Sequence, residues 1–158
     1  MLRPRVILEI GTYTGYSALC MAEGLRENGK LITIDINEEL HDRVSAYFRA
    51  AKLNERIDYR IGDASVIIPQ LEESFDLVFI DADKENYARY FDLVIDRVNL
   101  NGIILADNVL WSGKVLQNKP DKDTRAIMDF NEKIQRDARV ENVLLPVRDG
   151  IMMMRRVR

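Results

Sequence analysis

An open, doubly wound α/β fold, with a mostly parallel seven-stranded sheet ending in an antiparallel hairpin, is the architecture this sequence predicts. Two observations carry it. Short apolar runs alternate with stretches in which apolar residues recur every three or four positions, the signature of a βα repeat. Near the end, Arg148-Asp149-Gly150 separates two more apolar runs, and an Asp-Gly step marks a tight turn between antiparallel strands.

In chain order, Val6–Ile10 reads as the first strand, Leu31–Ile36 as the second, Ile57–Ile61 as the third, Leu77–Ile80 as the fourth and Ile103–Ala106 as the fifth. Several lack polar alternation, as expected of strands buried on both faces. Helices are expected over Ser17–Glu27, over Glu38–Ala51 with Leu40, Val44, Phe48 and Ala51 on one face, and over Glu85–Val98 with Tyr87, Tyr90, Phe91, Val94 and Val98. A weaker helix over Ala64–Leu71 is expected to break at Pro69. Asn108–Pro120 reads as a polar loop, Thr124–Gln135 as the last helix, and Asn142–Val147 with Ile151–Val157 as the hairpin.

The 158 residues, 47% apolar and 31% charged, make one globular domain, 1–158, and exclude disorder, collagen and coiled coil. The longest charge-free stretch, Ile10–Ala22, holds two Gly, two Thr and a Ser, so no segment is expected to span a membrane. No leader pattern opens the chain, and the expected location is cytoplasmic. Net charge is 23 minus 26, or −3, which argues against nucleic acid as the main partner. Arg155, Arg156 and Arg158 read as a solvated strand end. Cys20, the single cysteine, reads as a buried thiol, and His41 as a helix-surface residue.

In a doubly wound sheet, ligands bind beyond the carboxyl ends of the strands, where strand order reverses. Five segments end there: Glu9–Ser17, Asp35–Asn37, Gly62–Ser65, Asp81–Glu85 and Asp107–Gly113. In the first, Gly11 permits a tight turn and Gly15 a close helix approach, and Asp35, 24 positions after Gly11, can accept hydrogen bonds from two ribose hydroxyls. A dinucleotide fingerprint would put its second and third glycines at Tyr13 and Tyr16, and a bulky Tyr13 would block a pyrophosphate. The loop therefore suits an adenosine ligand without phosphates, of which S-adenosylmethionine is the commonest. The bland alternative is a packed turn with Asp35 capping the next helix.

At neighbouring strand ends, Asp81, Asp83, Lys84, Asp107 and Asn108 gather hard oxygen donors and an amine. Asp81, Asp107 and the Asn108 carbonyl suit Mg²⁺ or Ca²⁺. Taken singly, Asp81 or Asp83 also fits a helix cap and Asn108 an Asx turn. Beside a bound cation the neutral amine of Lys84 is favoured, and it can act as a base. Trp111 and Tyr87 could wall an aromatic substrate, although Tyr87 also fits the core stripe of its helix.

These residues resemble motifs of the cation-dependent, S-adenosylmethionine-dependent O-methyltransferases, the catechol and caffeoyl-CoA type, particularly small bacterial members. The likeness rests on the runs Leu8–Ser17, Ile34–Asn37, Phe79–Lys84, Asp107–Trp111, Leu145–Val147 and Asp149-Gly150. The resemblance implies a Rossmann-like class I methyltransferase fold, with Asp81, Asp107 and Asn108 on Mg²⁺ or another divalent cation such as Mn²⁺, and Lys84 as base. It also implies that Glu9, Gly11, Tyr13 and Ser17 line the methionine part, that Asp35 holds the ribose, that Ala64 and Ser65 border the adenine, that Asp83 approaches the methionine moiety, and that Ile36, Asp63 and Asp81 belong to the same cofactor site. Ala82 stands where catechol methyltransferases have a histidine, as in the caffeoyl-CoA type. Relatives carry helices before the first strand that help form a homodimer. Here the first strand begins at Val6, so those cap helices are expected to be absent and the chain to be a fragment or truncated form.

The expected reaction moves a methyl group to a hydroxyl of a small vicinal-oxygen acceptor. Three alternatives stand beside it. One is methylation of a hydroxylated tRNA base, with the C-terminal arginines on phosphate. The others are an NAD-dependent oxidoreductase, disfavoured by Tyr13 and Tyr16, and a non-catalytic cofactor-binding domain.

Overall fold

The computed structural model describes residues 2–158. Its elements are β1 (Val6–Ile10), α1 (Tyr16–Glu23), β2 (Lys30–Asp35), α2 (His41–Ala50), β3 (Ile57–Ile61), α3 (Ala64–Ile67), β4 (Phe75–Ile80), α4 (Tyr87–Val94), β5 (Val98–Asp107), α5 (Lys122–Arg136), β6 (Val140–Leu145) and β7 (Ile151–Arg156). The sheet order is β3-β2-β1-β4-β5-β7-β6. Pairs among β1–β5 are parallel, whereas β7 pairs antiparallel with both β5 and β6. The order reverses between β1 and β4, so the crevice beyond Ile10 and Ile80 is the switch point.

Side-chain alternation along the strands loads both faces of the sheet. Leu8, Ile10, Ile34, Val78, Ile80, Ile104 and Met154 face one side, where Phe91 and Val94 of α4 and Ile127, Phe130 and Ile134 of α5 cover them. Ile7, Leu31 and Ile57 face the other side, under Ala18 and Ala22 of α1 and Val44 and Phe48 of α2. No helix among the described residues is long and apolar enough to cross a membrane.

Several expectations need correction. Cys20 is exposed, because the buried positions of α1 are Ala18 and Ala22, and a residue midway between them lies on the opposite face. The helix expected to run to Val98 ends earlier, and Val98 instead opens β5 opposite Phe75. The break expected at Pro69 is present: the α-helix ends at Ile67, and Pro69 sits in the first positions of a 3₁₀ turn, Ile68–Gln70, where its missing N–H costs nothing. The terminal hairpin is not tight, since residues 146–150 all lie outside its strands. The reason lies in what that loop grips, described below.

Candidate functional site

Backbone convergence at the switch point shapes the floor of the site. The Asp81 N–H donates to Ile10 O at 2.9 Å, and the Gly11 N–H to Ile34 O at 2.9 Å, carrying the sheet one residue past its strands. Gly11 has φ +102°, and a Cβ there would lie 2.0 Å from the Asp81 carbonyl oxygen, so only glycine fits. Four residues on, Gly15 at φ +77° faces α2, where a Cβ would come within 2.9 Å of Val44 and Phe48. Both glycines thus serve close approach as well as a turn.

The loop between them is tied down by polar side chains. Asp35 Oδ2 accepts the Tyr13 N–H at 2.7 Å and its Oδ1 the Asn37 N–H at 2.8 Å. The expected alternative, Asp35 as the next helix cap, is not what forms: Asn37 takes that place by accepting the Glu39 N–H. Glu9 lies fully buried beneath the loop, where Ser17 and Thr33 hydroxyls each donate to it at 2.5 Å and Thr33 also meets Thr12. Burial pushes its carboxyl up to about 7, against the opposing pull of those two hydroxyls.

A cleft of about 210 Å³ opens above this floor. Of the sequence-derived cofactor residues, Gly11, Tyr13, Asp35, Ile36, Asp63, Ala64, Asp81 and Asp83 line it; Glu9, Ser17 and Ser65 do not. Ser17 is bound to buried Glu9, while Ser65 is buried and gives its N–H to Asp63 Oδ1 at 2.7 Å. Tyr13 and Ile36 stand largely exposed at the mouth. Ile10, Ile34 and Tyr90 also line the cleft. Tyr90 reads from the sequence as part of an apolar stripe, but its hydroxyl donates to Asp83 Oδ1 at 2.6 Å. The available signal was its spacing, two helical turns after Asp83.

Beyond Asp81 the site turns cationic. The Lys84 side chain is 9% exposed, and its ammonium donates to Asp81 Oδ1 at 3.2 Å, to Asn108 Oδ1 at 3.0 Å and to the Tyr87 hydroxyl. Tyr87 passes a hydrogen bond on to the Asp107 carbonyl at 3.0 Å. Burial, then the charge of Asp81, holds the Tyr87 hydroxyl well above the usual tyrosine range. Tyr87 is itself fully buried, edge-on to Phe130, so it supports Lys84 and does not wall a substrate. The Trp111 ring lies 5.7 Å from the Lys84 ammonium and 5.6 Å from that of Lys114, and its indole N–H has no hydrogen-bond partner among the described residues.

Asp81 and Asn108 oxygens from two strand ends therefore converge on one positive charge, as oxygen donors for a hard cation must. Asp107 adds a carboxylate next to Asn108, its Oδ1 accepting the Asn108 N–H at 2.7 Å. Among the described residues no three acids, histidines or cysteines cluster, so a cation set here would have to include the amide oxygen of Asn108. The residues present fit a divalent cation of the Mg²⁺ or Ca²⁺ kind.

Comparisons with known proteins bear on the family and the fold. The family model for O-methyltransferases matches residues 2–157. Caffeoyl-CoA O-methyltransferase 1 of Eucalyptus globulus is 36% identical over 170 residues, covering 99% of this chain and 69% of that protein. The Mesembryanthemum crystallinum caffeoyl-CoA O-methyltransferase is 38% identical over 171 residues, covering 99% and 67%. Among solved structures, an O-methyltransferase from Bacillus cereus in complex with SAH aligns with TM-score 0.91 and 33% identity, over 97% of this chain and 74% of that one. TomG from Streptomyces achromogenes, in complex with SAM, aligns with TM-score 0.91 and 25% identity, over 99% and 74%.

Proposed function

The chain belongs to the O-methyltransferase family and is an S-adenosylmethionine-dependent O-methyltransferase, and on that premise we propose that it methylates one of two adjacent oxygens on a small, catechol-like acceptor with the help of a divalent cation. The observation that carries this reading is the double membership of Asp81. It lines the cleft and, through Oδ1, meets Lys84, so one residue joins the cofactor end to the acceptor end.

In the cleft, the Asp35 oxygens retain lone pairs toward ribose hydroxyls, while Asp63 and Ala64 border the adenine side. Asp83, oriented by Tyr90, faces the methionine part. Asp81, Asp107 and Asn108 would hold the cation, which when bound would act as a Lewis acid and make the acceptor hydroxyl more acidic. Lys84 Nζ, after giving one of its ammonium protons to solvent, takes that hydroxyl's proton as the neutral amine. The freed oxygen attacks the methyl carbon as the carbon–sulfur bond breaks, and the sulfonium leaves as the neutral thioether of S-adenosylhomocysteine. No covalent bond to the protein forms. The chain's share of the work is alignment of oxygen, carbon and sulfur in a cleft whose floor is fixed backbone.

A calorimetric titration with S-adenosylhomocysteine, with NAD as control, tests the cofactor part; binding of NAD alone would sink it. Transfer of methyl to a catechol acceptor tests the rest. Chelator is expected to abolish turnover, and an Asp107→Ala variant that methylated normally in chelator would rule out the cation.

A further inference from the structure

The loop that brings Asn108 and Trp111 to Lys84 is held in an unfavourable backbone shape. Asn108, Trp111 and Ser112 have φ of 62°, 47° and 53°, and Gly113 follows at 76°. Non-glycine residues in this region each cost on the order of 1 kcal/mol, so the segment needs restraint. Two turn bonds inside the segment, Trp111 N–H to Asn108 O at 3.0 Å and Gly113 N–H to Leu110 O at 2.9 Å, supply part of it, and the rest comes from the far end of the chain. The Val109 N–H donates to Gly150 O at 3.1 Å and the Leu110 N–H to Asp149 O at 3.0 Å. The Ser112 N–H donates to the Asp149 carboxylate, Oδ1, at 2.6 Å. Gly150 is at φ +81°, and a Cβ there would meet Leu110 Cγ at 2.5 Å, so the two loops interlock without space between them. This grip accounts for the long connection between β6 and β7.

We propose that Asp149 is a positioning residue for the acceptor end of the site: its carboxylate clamps Ser112 and so fixes where Trp111 stands over Lys84. Asp149 touches none of Lys84, Asp81 or Asn108, and acts only through the loop. Without the side chain, the carbonyls of 149 and 150 would still hold residues 109 and 110, and the Trp111 N–H to Asn108 O and Gly113 N–H to Leu110 O bonds, at 3.0 and 2.9 Å, would still close the turn locally; the Asp149 carboxylate alone ties Ser112, inside that turn, to the other loop. The proposal deepens the acceptor-site reading and rests on it for the meaning of Trp111, but not for the clamp itself.

Trp111 is the chain's one tryptophan, so its fluorescence reports this loop alone. Asp149→Ala is expected to raise acrylamide quenching of that fluorescence about threefold by freeing the segment, while leaving S-adenosylhomocysteine affinity within about twofold because the cleft is built elsewhere. Asp149→Asn keeps an oxygen at the same place and should restore the parent's quenching. On the unmodified chain, amide hydrogen exchange should show Ser112 protected despite its exposed position, a measurement that needs no variant to fold. Parent-like quenching in Asp149→Ala, or a Ser112 amide that exchanges at the rate of a free loop, would overturn the clamp. If the parent itself failed to bind S-adenosylhomocysteine, the function would be wrong while the fluorescence comparison still decided the role of Asp149.

Discussion

The cofactor end and the acceptor end of this cleft are built by different means. At β1 and β2 the surface is backbone: Gly11 lies against the Asp81 carbonyl, Gly15 against α2, and buried Glu9 and half-exposed Asp35 hold the loop from within through short bonds between these two neighbouring strand ends. At β4 and β5 the surface is side chains: Lys84 is suspended among three oxygens, and the Trp111 loop is gripped from 37 residues away by Asp149. A shape made of backbone admits little variation without loss of the fold. A shape made of side chains on a clamped loop can change its occupant while the fold stays intact, which is the arrangement expected where one cofactor serves different acceptors.

The first way to break this contrast is at the backbone. Gly11→Ala places a methyl group in the Asp81 carbonyl and should cost on the order of 4 kcal/mol of stability, since neither strand end can yield. Urea unfolding measures it, and a loss below about 1 kcal/mol would mean that the floor is soft. At the other end, Lys84→Ala should lower methyl transfer by about 10²- to 10⁴-fold, the range for loss of a general base. Its S-adenosylhomocysteine affinity, read by calorimetry, should stay within about threefold. A parallel fall in both quantities would show that the two ends are not separable.

Much of the contrast was legible in the sequence, and unevenly so. Gly11, Gly15 and Asp35 announced the cofactor loop because tight turns and strand-end acids have fixed local spacing. Strand cores were readable for the same reason, being continuous apolar runs. What the sequence hid was long-range. Nothing local ties Ser112 to Asp149, and an Asp-Gly step reads as a short hairpin turn until the loop it grips is seen. Tyr90 and Tyr87 were masked by their fit to an apolar helix face, where only the hydroxyl tip does polar work. Cys20 reads as buried from the sequence but is exposed, because a short helix with alanines on its buried face has little periodicity to read.

A third test sharpens the contrast through pH. Burial raises the Glu9 carboxyl to about 7, so the folded chain keeps a proton that the unfolded chain gives up near 4.5. The stability linked to that proton is fully present below the lower value and is lost as pH rises through the upper one, a change of about 3 kcal/mol. Glu9→Gln imitates the protonated acid and can still accept from Ser17 while donating to Thr33. Relative to the parent, the variant should therefore gain about 3 kcal/mol in urea unfolding between roughly pH 5 and pH 8. A pH-independent difference would show that Glu9 is ionised in the folded chain throughout.

The smallest effect is expected where the backbone floor gives way to an exposed rim. Ile36 is 77% exposed yet lines the cleft just past Asp35. A residue so placed contributes little to the fold, so Ile36→Ser should shift stability by no more than about 0.5 kcal/mol. Bound cofactor would bury that side chain, however, and losing an apolar contact of a few methylenes should weaken S-adenosylhomocysteine binding by about three- to tenfold. Unchanged affinity would mean that the ligand is held by Asp35 and the backbone floor alone, and would move the edge of the cofactor site inward from the mouth of the cleft.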